Sequence, residues 1–440
     1  MTTAPDHKRD RVDLPAARRA WCLYDWANSA FATTVMAALF PPFFRTLALA
    51  AGKGEAQSTA LWGYVTAGGL LLTAVLSPLL GAGADAHGDR KRRLAWTAGV
   101  GSALTVAMAL LGGAHWQVAA LLFTAASLAF SLSIVFYESL LPHLAEGAEL
   151  DALSARAYGL GYAGGGLLLV VNLLWVVKPG WFHLAGAGAA VKLSFVSVGV
   201  WWALFTLPLL RRVPEPAGSG APGGLRATLG RLRVTFGEIR RYRELSLLLA
   251  AYWVYNDGIG TIVKMATAFG SELGIGLTHL MGALVVTQVV GVPSSYLFAA
   301  AARRVGARAL VLGALAGYAV ITVGALFLRT TAHFYILAAA VGLVQGGAQA
   351  LSRSLFAVMV PRHRAAEFFG FFGASGRLAG VAGPLVFGLT AQMAGSSRLG
   401  IVSLMVFFVV GALLLLRVDP VAGAAAAREA ERQAGWSPAS

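Results

Sequence analysis

Twelve runs of about 20 mostly apolar residues follow one another along the 440-residue chain, separated by short charged loops. A helix of about 20 residues crosses the roughly 30 Å hydrocarbon core of a bilayer. We therefore predict an all-α membrane protein with twelve transmembrane helices. The predicted spans are 20–44, 60–83, 94–113, 116–138, 155–177, 191–210, 245–268, 279–301, 308–328, 333–359, 368–394 and 397–417.

Composition agrees with this fold and excludes a soluble one. Hydrophobic residues make up 57% of the chain and charged residues 12%, whereas soluble domains carry about 25% charged residues. The only cysteine, Cys22, cannot form an intrachain disulfide. No basic stretch is joined to a soluble domain large enough to fold, so the net charge of +15 does not indicate nucleic-acid binding.

The basic residues lie mainly in alternate loops, which fixes a predicted orientation. Both termini and the loops after the even-numbered spans carry most of the 35 lysines and arginines. Positive charge accumulates in cytoplasmic loops, so we expect both termini to be cytoplasmic, in a bacterial cytoplasmic membrane. On the other side lie only Arg45, Lys53, Lys178, Lys192, Arg329 and Arg398, and within the spans Lys264, Arg353 and Arg377.

The loop 211–244 divides the chain into two halves of six spans, 20–210 and 245–417, flanked by cytoplasmic tails 1–19 and 418–440. Its second part, 225–242, fits either an amphipathic helix on the membrane surface or a solvated linker. Short motifs recur in both halves: DAHG at 85–88 matches RRVG at 303–306, and Leu-Pro at 141–142 matches Val-Pro at 360–361. Duplicated, pseudo-symmetric six-helix halves are typical of transporters, with the substrate site at their interface near the midplane.

One loop carries the most specific motif, GAGADAHGDRKRR at residues 81–93. It resembles the loop signature of the major facilitator superfamily, in which the aspartate caps a helix end and pairs with cytoplasmic charges to stabilise the outward-open state. The resemblance implies that Asp85 and Arg90 are gating residues. The alternative is a basic loop that only sets topology. The second copy has Arg303 where the acid would stand, which argues against a latch there.

Three further segments narrow the resemblance: WCLYDWANSAF at 21–31, AYGLGYAGG at 157–165 and YNDG at 255–258. They resemble the vacuole-effluxer-like branch of the superfamily, which includes fungal vacuolar amino-acid effluxers and bacterial members. The resemblance implies a secondary transporter, most simply an amino-acid exporter that works by alternating access. It does not specify the substrate.

Polar residues inside apolar spans are costly in lipid and are therefore candidates for function. Depth along the helices divides them into two sets. Asp25, Glu138 and Arg353 lie near the cytoplasmic ends, and we predict that they form a gate together with Asp85 and Arg90, which the resemblance implies. Towards the middle we predict a substrate site of Asn28, Asn256, Asp257, Gln288, Gln349 and Arg377.

Asp257 and Arg377 match the two charges of an amino-acid zwitterion, or they form a structural ion pair. Asp257 is also the best candidate to carry a coupling proton. No nucleotide-binding motif, metal-ligand cluster or catalytic set is recognisable, so we expect no cofactor, no metal and no enzymatic activity. Expected partners are a small-molecule substrate and membrane lipids. The rival functions are drug or lipid efflux and a non-transporting sensor or scaffold.

Overall fold

The computed structural model describes residues 13–53, 55–218, 237, 242–272, 275, 277–380, 382–394 and 397–436, and every regular element within them is a helix. Helices lie on all twelve predicted spans. The first half contains α1 (Leu14–Ala30), a π-helical segment (Phe31–Leu39), α2 (Phe40–Ala50), α3 (Glu55–His87), α4 (Arg90–Ala107), α5 (Trp116–Ser139), α6 (Leu141–Leu144), α7 (Gly147–Val177) and α8 (Ala187–Arg212). The second half contains α9 (Arg243–Glu272), α10 (Leu277–Val305), α11 (Ala307–Gly324), α12 (Thr331–Val358), α13 (Ala365–Ala379), α14 (Ala382–Ala394), α15 (Ser397–Ser403) and α16 (Met405–Leu415), followed by a tail helix, α17 (Pro420–Gln433).

Ten helical segments in the described part of the chain are long and apolar enough to cross a membrane. The predicted spans 245–268 and 368–394 are not among the ten; they lie on α9 and on α13 with α14. The proposed surface helix at 225–242 falls almost wholly outside the described residues.

The first span changes helix type within the bundle. Nine residues, Phe31–Leu39, form a π-helix, in which the Phe40 N–H bonds to the Val35 carbonyl. Pro41 and Pro42 follow directly and lack the N–H groups that would continue the α-helical pattern back to residues 37 and 38. The two prolines account for the change, which the apolar pattern alone did not predict. Such segments often lie at functional sites.

The eleventh span is broken into two helices, although the sequence predicts one continuous span. The first piece, α13, ends at Ala379, and the second, α14, begins at Ala382. Gly380 directly follows α13 and Gly383 is the second residue of α14, and glycine lowers helix stability by up to about 1 kcal/mol relative to alanine. The N–H groups in the first turn of a helix have no acceptor within that helix, so those at the start of α14 need acceptors elsewhere.

The basic loops and both tails meet at one end of the bundle, which we call the basic end. Arg18 of the N-terminal region donates to the Leu144 carbonyl at 2.8 Å. The Lys91 N–H bonds to Glu215, at the start of the central linker. In the second half, the Arg362 N–H bonds to Glu431 of the tail helix at 2.7 Å. These contacts place the loops predicted to be cytoplasmic on a common face.

Glycines allow the helices of the two halves to approach closely. A Cβ on Gly370 of α13 would lie 2.6 Å from the Ser77 carbonyl and 2.7 Å from the Pro78 Cα, both on α3. A Cβ on Gly81 of α3 would overlap with the Ala366 carbonyl. The interface between α3 and α13 therefore has no room for even one methyl group at these positions.

We expect Gly370→Ala to destabilise the protein by about 1–3 kcal/mol, because overpacking forces backbone apart at a tight interface. The measurement is the thermal unfolding midpoint in detergent. The control is Gly99→Ala in α4, where nothing lies within 4 Å of the added methyl group. The control should be neutral or stabilising, because alanine favours a helix more than glycine. Equal midpoints for the two variants would contradict the prediction.

Candidate functional site

Asp85 joins the two halves at the basic end. Its Oδ1 accepts the Ala366 N–H at 3.0 Å, and its Oδ2 accepts the Glu367 N–H at 2.7 Å. Asp85 thus caps the first turn of α13, where unpaired N–H groups and the helix dipole favour an anion. The adjacent Gly88 turns the chain after α3 with φ +64°, a left-handed conformation that glycine adopts without strain.

Arg90 holds the same carboxylate from its other side. Its Nε donates to Asp85 Oδ1 at 2.9 Å, and its terminal nitrogen donates to the same oxygen. Arg90 is fully buried and Asp85 is 3% exposed. A buried ion pair requires well-placed partners on both charges, and the N-terminus of α13 supplies those of the carboxylate.

Asp25 and Arg353 form a second buried ion pair between the halves. Arg353 of α12 donates to Asp25 Oδ2 of α1 at 3.1 Å. It also donates to the Ser154 hydroxyl at 2.9 Å and to the Ser154 carbonyl at 2.8 Å, both on α7. Glu138, which is also buried, lies close enough to interact electrostatically with Arg353. The structure thus brings Asp25, Glu138 and Arg353 into one cluster.

Additional contacts close the interface between α7 and α12 towards the basic end. The Ser154 hydroxyl donates to the Ala350 carbonyl at 2.8 Å. Ser354 hydrogen-bonds to Asp151, and Arg362 pairs with Glu146. The Arg362 guanidinium lowers the pKa of Glu146 below its ordinary value through a hydrogen bond and its charge.

A cavity of about 310 Å³ lies between the halves, in the part of the bundle opposite the basic end. Its position follows from chain direction: the lining residues come from the ends of their helices remote from the basic loops. Four polar side chains contribute to the lining, and no charged side chain does so among the residues described there. The lining comprises Ala32, Thr33, Ala37, Leu169, Ile262, Val263, Leu280, Ala283, Leu284, Thr287, Gln288, Ile321, Ala325, Leu328, Phe334, Leu337, Ala338, Val341, Gln345 and Ile401.

Two features of this cavity bear on recognition. Gln345 Oε1 is buried and has no hydrogen-bond partner among the described atoms, so it can accept a hydrogen bond from a ligand. The π-helical segment contributes Ala32, Thr33 and Ala37, and the Thr33 hydroxyl bonds to the Ser29 carbonyl at 2.9 Å. The cavity is therefore predominantly apolar, with neutral polar groups at defined points.

The residues predicted for the central site do not all meet at this cavity. Gln288 lines it, whereas Asn28, Asn256, Asp257 and Gln349 are not among its described lining residues. The Gln349 amide oxygen accepts the Tyr162 hydroxyl at 3.3 Å. The side chain of Arg377 lies outside the described part of the chain, and so does the predicted pairing of Asp257 with Arg377.

Asp257 has a structural partner in the broken eleventh span. Its Oδ2 accepts the Gly383 N–H at 2.8 Å, in the first turn of α14. Each piece of the span therefore begins at a carboxylate: α13 at Asp85 and α14 at Asp257. Gly383 fits closely there, because a Cβ would lie 2.7 Å from Asp257 Oδ1.

Sequence reasoning missed Ser154, which supplies two of the three hydrogen bonds to Arg353. It also assigned no role to Trp21, Tyr137 or Tyr158, whose rings lie within 6 Å of that guanidinium. A signal was present: Trp21 and Asp25, like Ser154 and Tyr158, are four residues apart and share a helix face. Which faces meet could not be read from spacing alone.

Comparison with known proteins places this geometry in a family. The family described as "Vacuole effluxer Atg22 like" matches residues 15–428. The chain is 38% identical over 398 residues to the "Uncharacterized MFS-type transporter YxiO" of Bacillus subtilis (strain 168), covering 90% of this chain and 93% of that protein. It is 26% identical over 299 residues to "Autophagy-related protein 22" of Yarrowia lipolytica, covering 61% of this chain and 50% of the fungal protein.

A solved structure shares the fold. The "human organic anion transporter MFSD10 (TETRAN)" superposes with a TM-score of 0.69 at 16% identity, covering 92% of this chain and all of that one. The two helical halves, the charged contacts between them and these matches lead to one assignment. The chain is a multi-pass membrane protein that belongs to the vacuole effluxer Atg22-like family of major facilitator superfamily transporters.

Proposed function

We propose that this transporter exports small solutes with an apolar body, most simply apolar amino acids, by alternating access. The observation that most directly supports this proposal is the asymmetry of the bundle. Charged contacts close the basic end, and an apolar cavity lies in the opposite part. The apolar lining suits an aliphatic or aromatic side chain. Gln288, Gln345 and two threonines can hydrogen-bond to a polar head group.

The proposed orientation places the basic end and both termini in the cytoplasm, in line with the distribution of lysine and arginine. In that orientation the structure corresponds to an outward-facing state. Asp85, Arg90, Asp25, Glu138 and Arg353 would form the cytoplasmic gate. Their contacts must break when the halves rock apart to admit substrate from inside.

We propose that the central substrate site consists of the cavity together with the polar residues that the sequence predicts for this site. Gln288 belongs to both sets. Asn28, Asn256, Asp257, Gln349 and Arg377 would line the solute path as the halves move around it. Domain boundaries at 20–210 and 245–417 are part of the same proposal, because each rocking unit needs six spans.

The proposal is tested by exchange of radiolabelled leucine and phenylalanine across proteoliposomes. We expect transport by the native chain and about tenfold less with Gln345→Leu, because one hydrogen bond contributes about 1–1.5 kcal/mol. The control is Gln117→Leu, an exposed glutamine beyond the cavity, which should leave the rate unchanged. Absence of exchange for every amino acid tested, with correctly inserted protein, would refute amino-acid export.

Efflux of drugs or lipids is the second candidate, and the lack of charge among the described lining residues favours it specifically. Such solutes are larger and more apolar than amino acids. The same proteoliposomes, loaded with a hydrophobic dye, distinguish the two functions. Dye release that leucine does not inhibit would favour this second candidate.

Proton coupling is proposed to use Asp257. Protonation would weaken its hydrogen bond to Gly383 and so loosen the first turn of α14. We expect Asp257→Asn to reduce transport driven by a pH gradient at least about tenfold, while exchange at equal pH persists. The control is Asp89→Asn in the α3–α4 loop. Equal loss of both modes would assign Asp257 to structure or substrate binding, and unchanged transport by Asp257→Asn would exclude it as the proton carrier. Absence of any transport by the correctly inserted native chain would favour a sensor or scaffold.

A further inference from the structure

Arg353 occupies a cage built entirely by the other half of the protein. Its guanidinium carbon lies 4.3 Å from the ring centroid of Tyr158, 5.0 Å from that of Trp21 and 5.7 Å from that of Tyr137. Cations bind to aromatic faces within about 6 Å of the ring centroid. Arg353 itself comes from α12, whereas the three rings belong to α1, α5 and α7.

The same cage supplies hydrogen-bond acceptors and negative charge. Asp25 Oδ2 and both oxygens of Ser154 accept hydrogen bonds from the guanidinium. Glu138 adds a second carboxylate nearby. The Arg353 side chain is only 1% exposed, so the cage excludes water as it holds the cation. Aromatic faces, a carboxylate and neutral oxygens are the groups that select an organic cation.

The occupant and the cage belong to different moving parts. When the halves separate at the cytoplasmic end, Arg353 withdraws with α12. Trp21, Tyr158, Asp25 and Ser154 then face the opening as an unfilled cation site. An exposed carboxylate beside aromatic rings attracts a positively charged group from the cytoplasm, because its own cation has left.

We propose that this cage receives the ammonium group of the exported solute from the cytoplasm, and that Arg353 is an internal cation that takes its place as the gate closes. This inference rests on the proposed export function. The cage admits one cation at a time. Bound solute therefore opposes closure of the cytoplasmic gate, and the return of Arg353 to the cage releases the solute. Binding and gate position are then reciprocally coupled.

The direction of release fits the rest of the structure. Asp25 of the cage and Thr33 of the cavity lie on the same first span, about two helical turns apart. A solute displaced from the cage therefore moves a short distance along α1 into the apolar cavity. The cage also explains why residue 353 is an arginine. Its planar guanidinium can stack on aromatic rings and donate several hydrogen bonds at once.

The test uses the full chain with Arg353→Ala, which removes the internal cation and leaves the cage. Ethylguanidinium and propylammonium are the probes, with sodium propionate at equal ionic strength as the control for charge and size. We expect both cations to raise the unfolding temperature of the variant in a saturable manner, with at least tenfold higher apparent affinity than for the native chain. Adding Tyr158→Leu or Asp25→Asn to Arg353→Ala should remove the response.

A second measurement covers the case in which Arg353→Ala does not fold. Propylammonium on the cytoplasmic side should inhibit transport by the native chain competitively, and propanol at the same concentration should not. A folded Arg353→Ala variant without cation-dependent stabilisation overturns the proposal, as does equal inhibition by propanol. If the variant binds cations but no amino acid is transported, the proposed cation site is supported and amino-acid export is contradicted. If amino acids are transported but neither cation binds or inhibits, only the proposed cation site is contradicted.

Discussion

Asp85→Asn is expected to shift the conformational equilibrium away from the state with the closed basic end by at least about 100-fold. The carboxylate accepts the N–H groups of Ala366 and Glu367 and neutralises the buried Arg90. Asparagine has one carbonyl oxygen and no charge, so it cannot replace both functions. Removing one partner of a buried ion pair costs about 3–5 kcal/mol, and 1.4 kcal/mol corresponds to about tenfold.

Two readouts check this result. Cytoplasmic accessibility of a cysteine introduced at Ser354 should rise, and the net transport rate should fall because the outward-facing state is poorly populated. The matched control is Asp89→Asn, four residues away, whose partly exposed pair with Arg93 is worth only about 0.3–0.5 kcal/mol. If both variants shift the equilibrium equally, the loop acts through topology rather than as a latch.

The contact between Asp85 and Arg90 shows what the sequence reveals well. The two residues are five positions apart, on either side of the turn at Gly88 between α3 and α4, so their proximity follows from local geometry. The long apolar runs predict the helices for a similar reason, because each span satisfies its own backbone hydrogen bonds in lipid. Features determined within one loop or one span are therefore predictable from sequence.

The interior sites depend on contacts between distant helices, and there prediction was less complete. Asp25 and Arg353 are 328 residues apart, and their depth alone suggested that both lie near one end. Their shared partner Ser154 became evident only with α7 packed between them. Gln345 and Gln288 likewise line the cavity from two different helices. Their depth along the spans, counted from the sequence, had instead placed Gln288 in one site with Asp257. Because the eleventh span is broken at Gly380, Asp257 caps the first turn of α14. Hydropathy does not reveal this role.

The largest functional effect is expected from fixing the two halves together. Asp151 of α7 and Ser354 of α12 are hydrogen-bonded to each other across the interface near the basic end. In a Cys22→Ser background, Asp151→Cys with Ser354→Cys should form a disulfide on mild oxidation. Alternating access requires these helices to separate, so the bond should abolish transport, and reduction should restore it.

The control links two sites that lie within the first half. Ser197 of α8 donates to Asn172 Oδ1 of α7 at 2.9 Å, and both residues should move as one unit during transport. Their short side chains match those of Ser354 and Asp151 and keep the two backbones close to disulfide distance. Asn172→Cys with Ser197→Cys, in the same Cys22→Ser background, should therefore cross-link without loss of activity. A difference between the two disulfides isolates movement between halves from chemical damage. Full transport with the Asp151–Ser354 bond intact would mean that this interface does not open, and the gate proposed here would be wrong.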